Sequence, residues 1–358
     1  MQAFTVTFYS YKGGVGRTLL AANTGLLLAR QGRTLLWDLD IEAPGMQHIQ
    51  GLKPETSIKR GFFEWLADWQ KKQLPAADAA FGTLAKLARP CPIHEDLYIL
   101  PAFADGADFA ALYQQIRWED FLATDLDAGL TLFRGALGAF EKAGFQNIIL
   151  DSRTGITDIG GLLAALLPHA TVLMGNFSRQ NTQGLAHVWK ALAPAADGRL
   201  PIRGKLPPLR RFLVASPIPL DDNSASLVEA GQKVWKEAFS FLPTEMELIP
   251  WTSSLLFTEE LLAVRAPDSP VARAYARLAD RLESHKQTLA AEAESALRAE
   301  QANIDAPAER KASTTEQGKS FEDRVAHLLR LLGYSVEREQ MIDSNKVDLV
   351  ARKRADFG

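Results

Sequence analysis

From its first residues the chain alternates runs of consecutive apolar positions with stretches whose apolar residues recur at helical spacing. FTVTFYS, from Phe4 to Ser10, reads as a strand. Thr18 to Gln31 places Leu19, Leu20, Leu26 and Leu27 in a helix that Gly32 stops. TLLWD (Thr34 to Asp38), DLYILPA (Asp96 to Ala102) and QNIILD (Gln146 to Asp151) are further strands, the last preceded by a helix over Leu130 to Lys142. ATVLMGN, RRFLVAS and MELIP are three more. Repeated strand–helix units predict an α/β fold, with a doubly wound, mostly parallel sheet covered on both faces. Residues 51 to 95 are the least regular. Within them Trp65 and Trp69, at i, i+4 spacing, predict the core stripe of an inserted helix.

The pattern changes near residue 285. Gln287 to Asn303, rich in Ala and Glu, predicts a helix. Asp305 to Ser320 is polar, with little to bury, and predicts a linker. A new apolar pattern begins at Phe321. The chain therefore divides into residues 1–285, a helical or disordered linker over 286–318, and a small αβ segment over 319–358. The most apolar run, GGLLAALLPHATVLMG, is broken by Pro168 and His169. It reads as a helix then a strand, since a membrane span needs about 20 unbroken apolar residues.

The 358 residues are 47% hydrophobic, enough for a full-sized core, and carry a formal net charge of -3, which excludes a whole-protein basic field for nucleic acid or membrane. One cysteine, Cys91, excludes a disulfide framework and a Cys-based zinc site and fits a reducing compartment, the cytoplasm. No secretory signal precedes the first strand.

SYKGGVGRT, from Ser10 to Thr18, joins the first strand to the first helix, the context that a phosphate loop requires. Gly13, Gly14 and Gly16 allow successive backbone N–H groups to curl around a phosphate, and the helix N-terminus adds partial positive charge. The Thr18 hydroxyl is placed to ligate Mg²⁺, and Arg17 to touch the β- and γ-phosphates. The general pattern GxxxxGK[ST] fails twice, at Tyr11 and Arg17. The bland alternative is a glycine turn without a ligand. Lys12 to Gly16 and Thr18 nevertheless resemble the deviant loop KGGVGK[ST] of ParA/MinD-type P-loop ATPases, in a KGGVGR-motif variant.

The resemblance implies that Lys12, Gly13, Gly14, Val15, Gly16, Arg17 and Thr18 hold ATP. It also implies that Lys12 reaches across a nucleotide-sandwiched homodimer to the partner's phosphates; the alternative is a solvated lysine in a turn. WDLDIEAPG, from Trp37 to Gly45, resembles the switch I segment. There Asp40 would orient the attacking water and Asp38 would lie nearer the Mg²⁺; otherwise both cap the next element. NIILDSRTG resembles the Walker B strand, whose Asp151 would hold Mg²⁺ through water or, alternatively, cap a turn. Arg153 and Thr154 depart from the usual DxPPG. Ser216 and Pro217 fall where the family contacts the base. Arginine keeps the charge of lysine but is planar and longer, so slow hydrolysis and a non-hydrolysing, nucleotide-gated dimer both remain open.

Residues 319–358 resemble the start of an Mrr-type restriction endonuclease domain, with Glu322 on its first helix and Asp348 as the first metal carboxylate. The (D/E)xK strand that would follow is not reached by Gly358. A small αβ dimerisation module shows the same pattern. The functional expectation is an ATP-driven dimerisation switch that regulates a nuclease-like effector in defence against foreign DNA. The alternatives are a ParA-like partition or positioning ATPase and a nucleotide-bound scaffold. DNA and a protein encoded nearby are candidate partners, and no membrane attachment is expected.

Overall fold

The computed structural model describes residues 2–40, 44–71, 78–117, 126–155, 158–219, 224–240, 246–252, 255, 259–304, 334–342 and 345–353. For 78–79, 126–128, 158–159, 224, 300–304 and the last two segments it describes the backbone alone. Eight strands form one sheet: β1 (Phe4–Ser10), β2 (Thr34–Leu39), β3 (Arg89–Cys91), β4 (His94–Leu100), β5 (Asn147–Ser152), β6 (Ala170–Gly175), β7 (Arg210–Ile218) and β8 (Glu247–Pro250). Their order is β3-β4-β2-β5-β1-β6-β7-β8, parallel throughout except for the antiparallel β3–β4 edge. The longer helices are α1 (Arg17–Ala29), α2 (Phe62–Lys71), α3 (Asp78–Ala85), α4 (Phe109–Gln115), α5 (Leu126–Lys142), α6 (Arg179–Ala191), α7 (Ser224–Phe239) and α8 (Pro270–Ile304).

Every residue of β1, β2, β5 and β6 is buried, which is why these strands read as continuous apolar runs. The sheet separates two cores. On one face Trp37 meets Phe62, Phe133 and Phe140 at ring-centroid distances of 5.1, 5.7 and 5.2 Å. On the other, Leu20 and Leu26 of α1 and Leu278 of α8 pack with Phe8, Leu36 and Val172. Gly25 allows α1 its close approach to the sheet, because a Cβ there would lie 2.3 Å from Leu36 Cδ2.

The expected strands are present, and α2 carries the Trp65–Trp69 stripe with Trp65 in the core. The short edge strand β3 has no counterpart in the predicted set. The GGLLAALL run forms a short helix, Asp158–Gly161, followed by a π-helical turn, Leu162–Leu166. α8 runs unbroken through residue 285: its face is buried as far as Leu282, and residues 291–299 are all exposed. Beyond it, β9 (Tyr334–Ile342) and β10 (Asn345–Lys353) form an antiparallel hairpin. Asp348 belongs to β10, whereas Glu322 and the expected helix around it lie outside the described residues. Among the described residues, no helix is long and apolar enough to cross a membrane.

Candidate functional site

β1 has β5 on one side and β6 on the other, and the chain leaves it toward both edges of the sheet. Open α/β sheets bind ligands at such a switch point, outside the carboxyl ends of the strands. The loop after β1 turns through Gly14 (φ 77°) and Gly16 (φ 80°), left-handed conformations that favour glycine. Gly16 caps α1 without a side-chain hydrogen bond, so the first N–H groups of the helix face the loop. Val15 is buried in the core, anchoring the turn, while Gly13, Gly14 and Gly16 are exposed. Tyr11, which stands where the general motif has glycine, lies against α6: a Cβ on Gly184 would come within 2.1 Å of its ring. Lys12 is half-buried and pairs with no carboxylate among the described residues. Ser216 is buried at the end of β7, and its Oγ lies 3.9 Å from where a Cβ on Gly16 would stand; it precedes Pro217 through a cis peptide.

Register brings the acidic residues to this loop. Asp38 of β2 lies opposite Asp151 of β5, and Asp151 opposite Phe8 of β1. Arg17 knits them together. Its Nε donates to Asp151 Oδ1 at 2.5 Å, one terminal nitrogen to Asp40 Oδ2 at 2.8 Å and the other to Ser10 Oγ at 3.4 Å. The Arg17 side chain is 6% exposed, so its nitrogens face protein carboxylates and a hydroxyl. Sequence placed Arg17 toward phosphates; its partners at Asp40, Asp151 and Ser10 carry no local signal. The second Asp151 oxygen accepts from the Thr18 hydroxyl at 2.6 Å. Burial raises the Asp151 carboxyl above its ordinary range, opposed by the Arg17 charge and the Thr18 bond.

Asp38 is fully buried and holds backbone: Oδ1 accepts from the Asp40 N–H, and Oδ2 from the N–H groups of Gly45 and Met46. This is the capping arrangement, and it shapes the segment that carries Asp40. Burial first, then the neighbouring Asp151 charge, push Asp38 up to about 7 against those backbone bonds. On the far side of the site, the Tyr9 hydroxyl donates to Gly155 O at 2.9 Å and Gly155 N–H to Ser10 O at 3.3 Å. The end of β1 is thereby tied to the segment that follows Asp151.

The donors suit Mg²⁺. Thr18 Oγ1 and Asp151 offer hard oxygen donors already in contact, and Mg²⁺ takes only one or two protein ligands beside waters and phosphates. Among the described residues no group of three or more His, Cys, Asp or Glu side chains could hold a metal by itself. Asp38 has both oxygens on backbone N–H groups, whereas those of Asp151 meet the side chains of Arg17 and Thr18.

No family model matches the chain, and no curated protein matches it in sequence. Solved structures do match in fold. The chain is similar to apo McdA from Cyanthece (TM-score 0.56, 16% identity, covering 78% of this chain and 99% of that one). It is also similar to MinD complexed with Mg-ADP from Pyrococcus horikoshii OT3 (TM-score 0.53, 18% identity, 78% and 96%). A third match is a putative plasmid partition protein from Borrelia burgdorferi B31 bound to AMPPNP (TM-score 0.52, 15% identity, 80% and 99%). The fold is that of the MinD/ParA-type P-loop ATPases.

Proposed function

We propose that the chain is an ATP-binding switch whose loop Lys12–Thr18 holds the phosphates and whose two nucleotide states differ in dimerisation. One observation carries this reading. The glycine loop, the N-terminus of α1, Thr18, Asp151 and Asp40 converge at the carboxyl ends of β1, β2 and β5. The nucleotides named for the P. horikoshii and B. burgdorferi neighbours support it. Bound Mg²⁺ would neutralise phosphate charge, held by Thr18 and Asp151. The chain's own residues do the rest. Backbone N–H groups at residues 13–18 cradle phosphate oxygens, and Asp40 orients water. Arg17, paired with Asp40, withholds that carboxylate from water until a competing anion draws the guanidinium away. Hydrolysis is accordingly slow.

The test is calorimetry of ATP·Mg²⁺ binding. Gly16→Val puts a side chain in the phosphate path and Thr18→Ala removes a metal ligand, so both should abolish binding. Unchanged affinity in both would defeat the assignment.

What the switch controls has two readings. The hairpin that places Asp348 on β10 supports a nuclease-like effector governed by dimerisation. The plasmid partition neighbour supports a ParA-like positioning role. Salt-dependent, sequence-independent DNA binding by the full chain favours positioning; its absence favours the effector.

A further inference from the structure

At the end of the sheet opposite the phosphate loop, where β1, β5 and β6 begin, lies a cavity of about 230 Å³ that the switch does not use. His169 forms part of its lining and is 7% exposed. Its Nδ1 accepts from the Thr5 N–H at 3.0 Å, which fixes the ring proton on Nε2. The hydrogen bond seen for the ring is the one at Nδ1, which leaves Nε2–H as its remaining donor. Burial, reinforced by Arg203 and His285, pushes this histidine down to about 4, so near neutral pH it is an uncharged donor.

Charge comes from Arg134, Arg203 and Lys205, against a single lining carboxylate, Glu141. Among the described residues none of the three cations makes an ion pair. Arg134 donates to Ile202 O, and Arg203 to the carbonyls of Ala165, Pro168 and Pro207, while Arg203 Nε is buried without a partner. Two guanidinium groups of one lining are thus held by backbone carbonyls and not by carboxylates. The chain as a whole is acidic, at net charge -3, so this is a local excess. Leu137, Ile148, Leu167 and Leu206 supply apolar wall, beside the polar Gln2 and Thr5.

We propose that this cavity is a second ligand site, for a small organic anion. An oxyanion head would meet the Arg134–Lys205 rim and His169 Nε2–H, and a body of a few carbons would meet the leucines. The volume lies below the roughly 300–1,000 Å³ of sites for drug-sized ligands, which limits the occupant to a small molecule.

The experiment is calorimetric titration of the full chain with butyl phosphate, pentanoate and inorganic phosphate, repeated in Gly16→Val. Saturable one-to-one binding of butyl phosphate or pentanoate is expected in both chains, and whichever anion binds tighter identifies the head group. Inorganic phosphate should bind more weakly. Arg134→Ala with Lys205→Ala should lower the affinity roughly tenfold or more, as for loss of charge-assisted bonds. His169→Asn keeps an acceptor for Thr5 but removes Nε2–H, and should lower the affinity in the same sense. No saturation by either organic anion at millimolar concentration would overturn the proposal. So would loss of binding in Gly16→Val, inorganic phosphate binding as well as butyl phosphate, or affinity indifferent to these substitutions. Because the site is remote from the loop, failure here leaves the ATP reading intact.

Discussion

Arg17 carries one charge and faces two carboxylates of unequal burial: Asp151 is 0% exposed and Asp40 21%. Removing the guanidinium strands Asp151 in the interior, and breaking a buried pair from one side costs about 3–5 kcal/mol. Removing Asp40 leaves Arg17 on Asp151 and takes away a partly solvated partner, at about 1 kcal/mol or less. Denaturant unfolding should therefore show Arg17→Ala strongly destabilised and Asp40→Ala nearly unchanged. Asp40→Ala should also keep ATP affinity while losing turnover; parental turnover would sink the placement of Asp40 beside water. Asp38 makes a pH prediction. Its carboxyl is raised to about 7 in the fold from an ordinary value of 3.8, so the folded state binds the extra proton between those limits. A group that holds more protons folded than unfolded makes stability fall as pH rises through that window. Comparing melting of the nucleotide-free protein from pH 5 to 8, the wild type should lose stability relative to Asp38→Asn as pH rises. Parallel curves would show that Asp38 is not protonated in the fold.

At the scale of elements, what was legible is what local pattern encodes. β1, β2, β5 and β6 are buried on both faces, so each is an apolar run bounded by turn residues, and the glycine loop is contiguous in sequence. β3 was not legible, because three residues at an edge, one of them Pro90, bury too little to leave a pattern. The shift of composition near residue 285 has a related cause. Propensity continues α8 after its buried face ends, so composition shifts in mid-helix. The Arg17 bridge escaped because its partners lie 23 and 134 residues away, beyond any periodicity. The packing of α1 on β2 makes a prediction at this scale. Gly25→Leu would force a side chain into Leu36, which is 0% exposed and has no room to retreat. Overpacking costs about 1–3 kcal/mol. Because α1 carries Arg17 and Thr18 at its first turn, ATP affinity should fall with stability, as calorimetry and thermal melting together would show. Loss of neither would mean that the helix shifts freely.

For the molecule as a whole, Lys12 is the test of assembly. It is half-buried on the loop and lacks a carboxylate partner among the described residues, whereas Arg17 is held inward. If it reaches a second copy's phosphates, each contact is a charge-assisted pair across an interface, and removing it should cost about 2–5 kcal/mol of association. ATP, and not ADP, should then promote a dimer in sedimentation with a non-hydrolysable analogue. Lys12→Ala should bind nucleotide and remain a monomer, and identical sedimentation of both chains would exclude the trans role.

The position of β5 between β1 and β2 has a consequence for how the protein comes into being. Loop, helix and Asp40 are all made within the first forty or so residues, yet the strand that separates β1 from β2 begins at Asn147. Until it inserts, nothing joins β1 to β2, and the carboxylate that holds Arg17 and Thr18 is missing. A nascent chain shorter than Asp151 thus bears the motif without the site. Synthesis proceeds from the N-terminus and long-range pairings form slowly. If the loop holds nucleotide as proposed, the site is complete only after the central strand has joined the sheet.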